Sequence, residues 1–408
     1  MAKKAYRKVA GGVVAARGFR CAGASGGLKT RPGALDVGII VSDTPAVAAA
    51  MFTTNKFQAA SVVLNREKIK ERLTRGIVVN AGNANACTGR RGMADARRMT
   101  ALAAKLAGVP AKTFLNASTG IIGRPLPMEK IEKGIRLAAA SLGNTAKHGD
   151  DFSNAIMTTD TVKKTVAVEF MIGKTPVRIG GSCKGSGMIA PNMATMLCFL
   201  TTDAAISKPM LQKALQEAVG RTFNCITVDG DCSTNDTVAI LANGAAGNVK
   251  ITQLGAGWRA FRDALAHVAA ELARKIVLDG EGATRFVEVR VVGAKTTSDA
   301  ERVATKIANS PLVKCAINGG DPNWGRIVCA AGYAGAVVKP ELTRLWINGV
   351  KLFAGGMPAK VTPSRLAACM KPKEIFIRLD LGIGKGEKRV WTCDFSREYV
   401  AINADYHT

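Results

Sequence analysis

The stretch Lys184-Gly-Ser-Gly-Met-Ile-Ala-Pro-Asn-Met-Ala-Thr-Met-Leu-Cys-Phe-Leu-Thr-Thr-Asp203 holds the longest run without charge, from Gly185 to Thr202. A run of about 18 apolar residues would suffice for a membrane span. Here Gly185, Ser186, Gly187, Pro191, Asn192, Thr195, Thr201 and Thr202 interrupt it. What remains is a Gly/Pro/Asn-rich segment feeding a buried strand over 196–200. Small Ala194 precedes Thr195, so a hydroxyl sits where a loop enters a rigid strand. If the Ala194–Thr195 bond were cut, Thr195 would gain an α-amine of pKa about 8, able to act as base for its own hydroxyl. From pattern alone, a threonine at a loop-to-strand junction is the simpler reading.

Outward from this stretch, helical and strand patterns alternate. Residues 93–107 place Met99, Leu102 and Leu106 on one face and stop at Gly108 and Pro110. Residues 127–142 repeat Ile131, Ile135 and Ala138; 207–219 open with Ser207 and Pro209; 258–278 carry Phe261, Leu265, Val268, Leu272 and Ile276. Ser298 with Glu301 predicts a capping box for a helix ending at Ile307. Residues 286–291 and 375–381 alternate as strands, and the glycine-rich 382–387 predicts a hairpin turn into 389–395. Helices of this length between short apolar runs predict a layered α/β fold. With 408 residues, one large domain or two intimately joined ones are expected, with no repeat or linker.

Composition excludes several chemistries. The three histidines, His148, His267 and His407, are scattered, which argues against a histidine zinc site. Ten cysteines include no Cys-x-x-Cys pair, so zinc ribbons and thioredoxin-type chemistry have no support. They read as reduced, buried, small hydrophobes of a cytoplasmic protein. The basic start, Lys3, Lys4, Arg7 and Lys8, leads into a short Gly-rich stretch without the marks of a secretory signal. The net charge of +26 is spread along the chain without an aromatic platform, so a solvated surface is expected rather than a nucleic-acid face. A positive field steering small anionic substrates is a further reading.

The 184–203 stretch resembles the self-cleavage site of the ornithine acetyltransferase family, also called glutamate N-acetyltransferase. The resemblance runs over nearly the whole chain. It includes 52–56 (Phe-Thr-Thr-Asn-Lys), 79–89 (Val-Asn-Ala-Gly-Asn-Ala-Asn-Ala-Cys-Thr-Gly), 118–123 (Ser-Thr-Gly-Ile-Ile-Gly) and 156–161 (Ile-Met-Thr-Thr-Asp-Thr). It continues through 233–237 (Ser-Thr-Asn-Asp-Thr), 279–284 (Asp-Gly-Glu-Gly-Ala-Thr), 321–326 (Asp-Pro-Asn-Trp-Gly-Arg) and the tail 399–408. Cys315 and Gly320 depart from the family's usual residues, outside its catalytic set.

The resemblance implies a layered α/β sandwich like that of N-terminal nucleophile hydrolases, with different connectivity. It implies self-cleavage between Ala194 and Thr195, giving an α chain 1–194 and a β chain 195–408 of one intertwined fold, assembled as α2β2. Thr195 would take the acetyl group of N-acetylornithine and pass it to glutamate in ping-pong fashion. Thr119 and Gly120 would stabilise the oxyanion. Thr158, Lys184, Thr195, Glu281, Asn403 and Thr408 would bind substrate, Lys184 meeting the α-carboxylate. The implied enzyme needs no metal or cofactor, acetyl-CoA being an additional acetyl donor in bifunctional members. It binds neither membrane nor nucleic acid. The alternative is a self-processing aminopeptidase or amidohydrolase with an N-terminal nucleophile, in which water replaces glutamate.

Overall fold

A computed structural model describes residues 6–190 and 196–405. Strand Leu197–Thr202 is buried throughout because it lies between two cores. Cys198 and Leu200 face helices Lys208–Arg221 and Ala256–Leu278, while Leu197 and Phe199 pack with Ile77, Val79, Leu115 and Ala117. This two-sided burial explains why the run reads as continuously apolar rather than alternating. Its neighbours are Thr175–Lys184, antiparallel, and Thr237–Ala242, parallel. Lys164–Ile172 and the short Arg7–Lys8 extend the sheet beyond Thr175–Lys184.

The long strand Val37–Phe52 folds this sheet over. Its second half pairs with Thr237–Ala242, its first half with Phe19–Ala24 and Thr74–Asn83, and the register shifts between Val41 and Ala46. Phe114–Ile121 completes the second layer, parallel to Thr74–Asn83. The outer face of that layer buries Ile39, Val41, Val78 and Phe114 against helices Gly89–Leu106 and Met128–Ala140. The order is therefore helices, sheet, sheet, helices: the layered α/β sandwich expected.

A second unit follows with its own core. Phe286–Ala294 lies one strand in from an edge, parallel to Glu374–Asp380 and antiparallel to the edge strand Gly386–Cys393; Arg344–Ile347, Val350–Ala354 and Met357–Pro358 continue the sheet beyond Glu374–Asp380. Helix Thr297–Ala308 packs on it through Ala300, Val303, Ala304 and Ile307. Helix Arg397–Asp405 then leaves this unit and returns the chain to the sandwich.

Three local expectations are corrected. The turn at 382–387 is no hairpin, because the strands it joins flank Phe286–Ala294 on opposite sides. Its glycines let the chain cross the end of that strand: a Cβ on Gly384 would stand 2.4 Å from the Ala294 carbonyl oxygen, and one on Gly386 2.2 Å from that of Thr296. Helix Thr297–Ala308 is capped by Thr296, whose hydroxyl accepts from the Asp299 amide at 3.0 Å, rather than by Ser298. Leu106 is exposed, since the buried face of its helix is made by Ala96, Met99, Thr100, Ala103 and Ala104. The cysteines divide: Cys21, Cys183, Cys198, Cys225, Cys369 and Cys393 are buried, whereas Cys87, Cys315 and Cys329 are exposed.

Candidate active site

Three strand ends and one helix converge on a cavity of about 110 Å³. Thr119, Gly120, Thr158, Thr159, Lys184, Gly187, Glu281 and Asn403 line it, with Ser233, Thr234 and Asn235 on the remaining side. Thr119 and Gly120 lie where Phe114–Ile121 loses regular pairing with Thr74–Asn83, at a shift around Gly82 and Asn83. Such an irregularity re-aims backbone groups at a strand end. Gly120 has φ +127°, and a Cβ there would lie 2.3 Å from the Gly82 carbonyl carbon. Glycine is required at this position by both conformation and space. Asn235 braces the neighbourhood by donating to the carbonyls of Ala84 and Ser118 at 2.6 and 2.7 Å.

Lys184 ends strand Thr175–Lys184 directly opposite Leu197. Its ammonium is buried and donates to the Thr119 hydroxyl at 3.3 Å. That bond leaves the Thr119 proton free to point elsewhere. Burial pulls the Lys184 pKa below its ordinary value, opposed by the negative charge of Asp160. Glu281 follows helix Ala256–Leu278; its amide donates to the Ser186 carbonyl at 2.8 Å, and its Oε2 accepts from Asn403 Nδ2 at 2.9 Å. Gly187 leaves room for this carboxylate, since a Cβ there would stand 2.3 Å from Glu281 Oε2. Asn403 reaches the site because Phe395 stacks on Tyr399 at 4.5 Å and Ser396 Oγ donates to the Gly282 carbonyl at 2.6 Å.

Of the residues expected in the site, Thr119, Gly120, Thr158, Lys184, Glu281 and Asn403 stand together around this one cavity. Ala194, Thr195 and Thr408 lie outside the described residues. The neighbour of Thr195 is well anchored: the Met196 amide donates to Asp236 Oδ1 at 2.7 Å, and its carbonyl accepts from Thr237 N at 3.1 Å. Burial raises the Asp236 pKa well above the ordinary carboxylate range. The segment that precedes residue 191 is held by Asp229, which accepts from the amides of Met188 and Ile189 at 2.6 and 2.8 Å. Burial pushes Asp229 up to about 6.

Several contributors escaped the sequence reading. Asp160, Lys164, Asp236 and Asp279 had no role assigned, although three of them lie inside the quoted family motifs. The signal was proximity: Asp160 stands two residues after Thr158, and Asp279 two before Glu281. Thr159 is also a cavity residue, its hydroxyl 2.7 Å from that of Ser186. Among the described residues, no group of three or more histidine, cysteine, aspartate or glutamate side chains is arranged to hold a metal ion. No helix there is long and apolar enough to cross a membrane.

The layered sandwich with a polar cavity at its strand ends is an α/β scaffold carrying a candidate active site. The ArgJ family model matches residues 20–408, and the chain belongs to the ArgJ family. The arginine biosynthesis bifunctional protein ArgJ of Symbiobacterium thermophilum is 48% identical over 401 residues, covering 98% of this chain and 99% of that protein. Its namesake in Geobacter sulfurreducens is 47% identical, covering 96% of this chain and 99% of that one. Among solved structures, the ornithine acetyltransferase of Mycobacterium tuberculosis complexed with ornithine is 36% identical. That match has a TM-score of 0.43 and covers 46% of this chain and 98% of that one.

Proposed function

We propose that this chain is a glutamate N-acetyltransferase of arginine biosynthesis, moving the acetyl group of N-acetylornithine to glutamate through an acetyl-Thr195 intermediate. The observation that carries the reading is the meeting of Thr119, Gly120, Thr158, Lys184, Glu281 and Asn403 at one cavity in an ArgJ-family chain. The nucleophile is released by self-cleavage: the Thr195 hydroxyl attacks the Ala194 carbonyl carbon, and water then cleaves the resulting ester. This leaves chains 1–194 and 195–408 in one fold, assembled as α2β2 in the cytoplasm. In turnover the new α-amine takes the hydroxyl proton while the oxygen attacks the acetyl carbonyl. Thr119 Oγ and the Gly120 amide donate to the oxyanion. The proton passes to the departing amine of ornithine, and glutamate's amine then attacks the acetyl ester.

The remaining residues bind the amino acid that enters and leaves. Lys184 holds the α-carboxylate shared by ornithine and glutamate, and Thr158 flanks it. Glu281, oriented by Asn403, accepts from the amino group; Thr408 completes the polar end of the pocket. No metal or cofactor takes part. Acetyl-CoA serves as a second acetyl donor to Thr195, matching the bifunctional names of the relatives.

The test is release of ornithine from N-acetylornithine by the purified protein, with and without glutamate. Glutamate-dependent release with equal formation of N-acetylglutamate supports transfer; release at the same rate without glutamate identifies a hydrolase. Activity should survive exhaustive chelation, and loss restored by one added metal would contradict the metal-free mechanism. Deleting residues 403–408 should leave self-cleavage intact, because cleavage needs the loop and the oxyanion donors rather than the tail. The same deletion should slow acetyl transfer about tenfold or more, roughly 1.4 kcal/mol of transition-state binding. Wild-type rates from a matured, truncated enzyme would remove the tail from the site.

A further inference from the structure

Tied to the segments that line the cavity is a buried charge cluster that no step above uses. Lys164 Nζ donates to Asp160 Oδ1 at 2.6 Å and to Asp279 Oδ2 at 2.5 Å, with no side-chain exposure on Lys164 or Asp160. Each carboxylate also holds backbone. Asp160 accepts from the amides of Thr158 and Gly185 at 3.0 and 2.7 Å. Asp279 accepts from the Thr161 amide at 3.1 Å and from that residue's hydroxyl. The chain segments so tied are those bearing Thr158, Lys184 and Glu281: the connection after helix Ala146–Ile156, the end of strand Thr175–Lys184 and the turn after helix Ala256–Leu278. A charge buried this deeply is tolerated only when paired and hydrogen-bonded, so the cluster is costly to disturb and geometrically demanding.

We propose that Asp160, Lys164 and Asp279 are positioning residues that lock the three substrate-binding segments together, with Asp160 setting the charge balance of Lys184 against Thr119. Lys184 faces Asp160, Glu281 and Asp236 as negative groups and Lys164 as a positive one; Lys29 lies close enough for Lys184 to affect it. Burial draws Asp160 upward, but the charges of Lys184 and Lys164 and the Gly185 amide outweigh it and hold its pKa at about 2. For Lys164, burial acts downward and the two carboxylates overcome it, so its pKa is raised. Asp160 therefore stays ionised and Lys164 charged across the working range of pH. Lys184, with a lowered pKa, is the member whose charge is most easily lost at alkaline pH.

The signs of two variants follow. Asp160→Asn removes the counter-charge of Lys184, so the pH above which Lys184 loses its charge moves down. Lys164→Met removes a repelling cation and leaves Asp160 to Lys184 alone, so that pH moves up. A general loosening of the fold would not shift the two variants in opposite directions. The inference rests on the proposed use of Lys184 as carboxylate binder, and its probe is N-acetylglutamate, which has no group titrating between about pH 6 and 10.

Its dissociation constant should be measured by calorimetry across that range for wild type, Asp160→Asn, Lys164→Met and Lys164→Arg, with thermal melting to establish folding. In wild type, binding should weaken as pH rises. The weakening should begin about one pH unit earlier in Asp160→Asn and later in Lys164→Met, with Lys164→Arg closer to wild type than Lys164→Met. Affinity at neutral pH should fall about tenfold or more in Asp160→Asn. Unmoved or parallel shifts in folded variants overturn the proposal. Absence of N-acetylglutamate binding by the wild type sinks the functional reading itself, a separate outcome. If either variant fails to fold, the shift in the surviving one, taken with its sign, decides the proposal.

Discussion

Thr195→Ala should run as one uncut chain of 42.7 kDa on a denaturing gel and show no acetyl transfer. The substitution removes the nucleophilic oxygen that both reactions require. Without the hydroxyl, no ester forms at the Ala194 carbonyl, so no α-amine is released. Without the amine, the base proposed for turnover is lost together with the nucleophile. The surrounding framework should persist. Met196 remains tied through its amide to Asp236, and strand Leu197–Thr202 keeps its burial between two cores. The expected loss is thus chemical, with the melting temperature little changed. Two fragments from this variant would take Thr195 out of the mechanism and require another cleavage point.

Gly120→Ala should lower kcat by about 10²–10³, the usual cost of losing an oxyanion donor. The reason is steric before it is electronic. The added methyl would sit 2.3 Å from the Gly82 carbonyl carbon and 2.5 Å from Asn83 N, both backbone atoms that no side-chain rotation can clear. The φ of +127° is also one that alanine rarely adopts. Either the strand end of Phe114–Ile121 or that of Thr74–Asn83 must move, and the Gly120 amide moves with it. Thr119→Ala removes the other donor without moving backbone, so comparing the two separates displacement from loss of a hydroxyl. Self-cleavage should slow in both variants, because the same oxyanion forms there. A Gly120→Ala enzyme with wild-type kcat would show that this amide does not face the reacting carbonyl.

The helices and the buried strand were legible because their signals are local. Leu211, Leu215, Ala218 and Val219 repeat at helical spacing and all face the core; so do Phe261, Leu265, Val268, Leu272 and Ile276. The run after Thr195 reads as a central strand because both of its faces are buried. The order of the second sheet was not legible: the glycines at 382, 384 and 386 look like a turn whether the chain pairs back or crosses a third strand. Only the position of Phe286–Ala294 between the two partners distinguishes them. The cap of helix Thr297–Ala308 was misplaced by two residues because Ser298 and Thr296 offer similar hydroxyls. Backbone φ and ψ at Thr296, not side-chain type, select the one that faces the helix amides.

The same distinction holds for the site. Sequence alone, through family motifs spread from residue 52 to the tail, named six of the residues around the cavity, Thr119, Gly120, Thr158, Lys184, Glu281 and Asn403, and the chemistry they suit. It determined the layered α/β class and argued against histidine or cysteine metal ligation, because the three histidines are scattered and the ten cysteines form no Cys-x-x-Cys pair. Tertiary structure decided how these residues act on one another. Lys184 meets Thr119 because two strands from different layers end side by side, and Asn403 meets Glu281 because the last helix folds back from the second unit. Asp160, Lys164 and Asp279 form one cluster although 115 residues separate the lysine from the farther aspartate. Charge interactions depend on distance and burial in space, and neither is encoded in the spacing of residues along a chain.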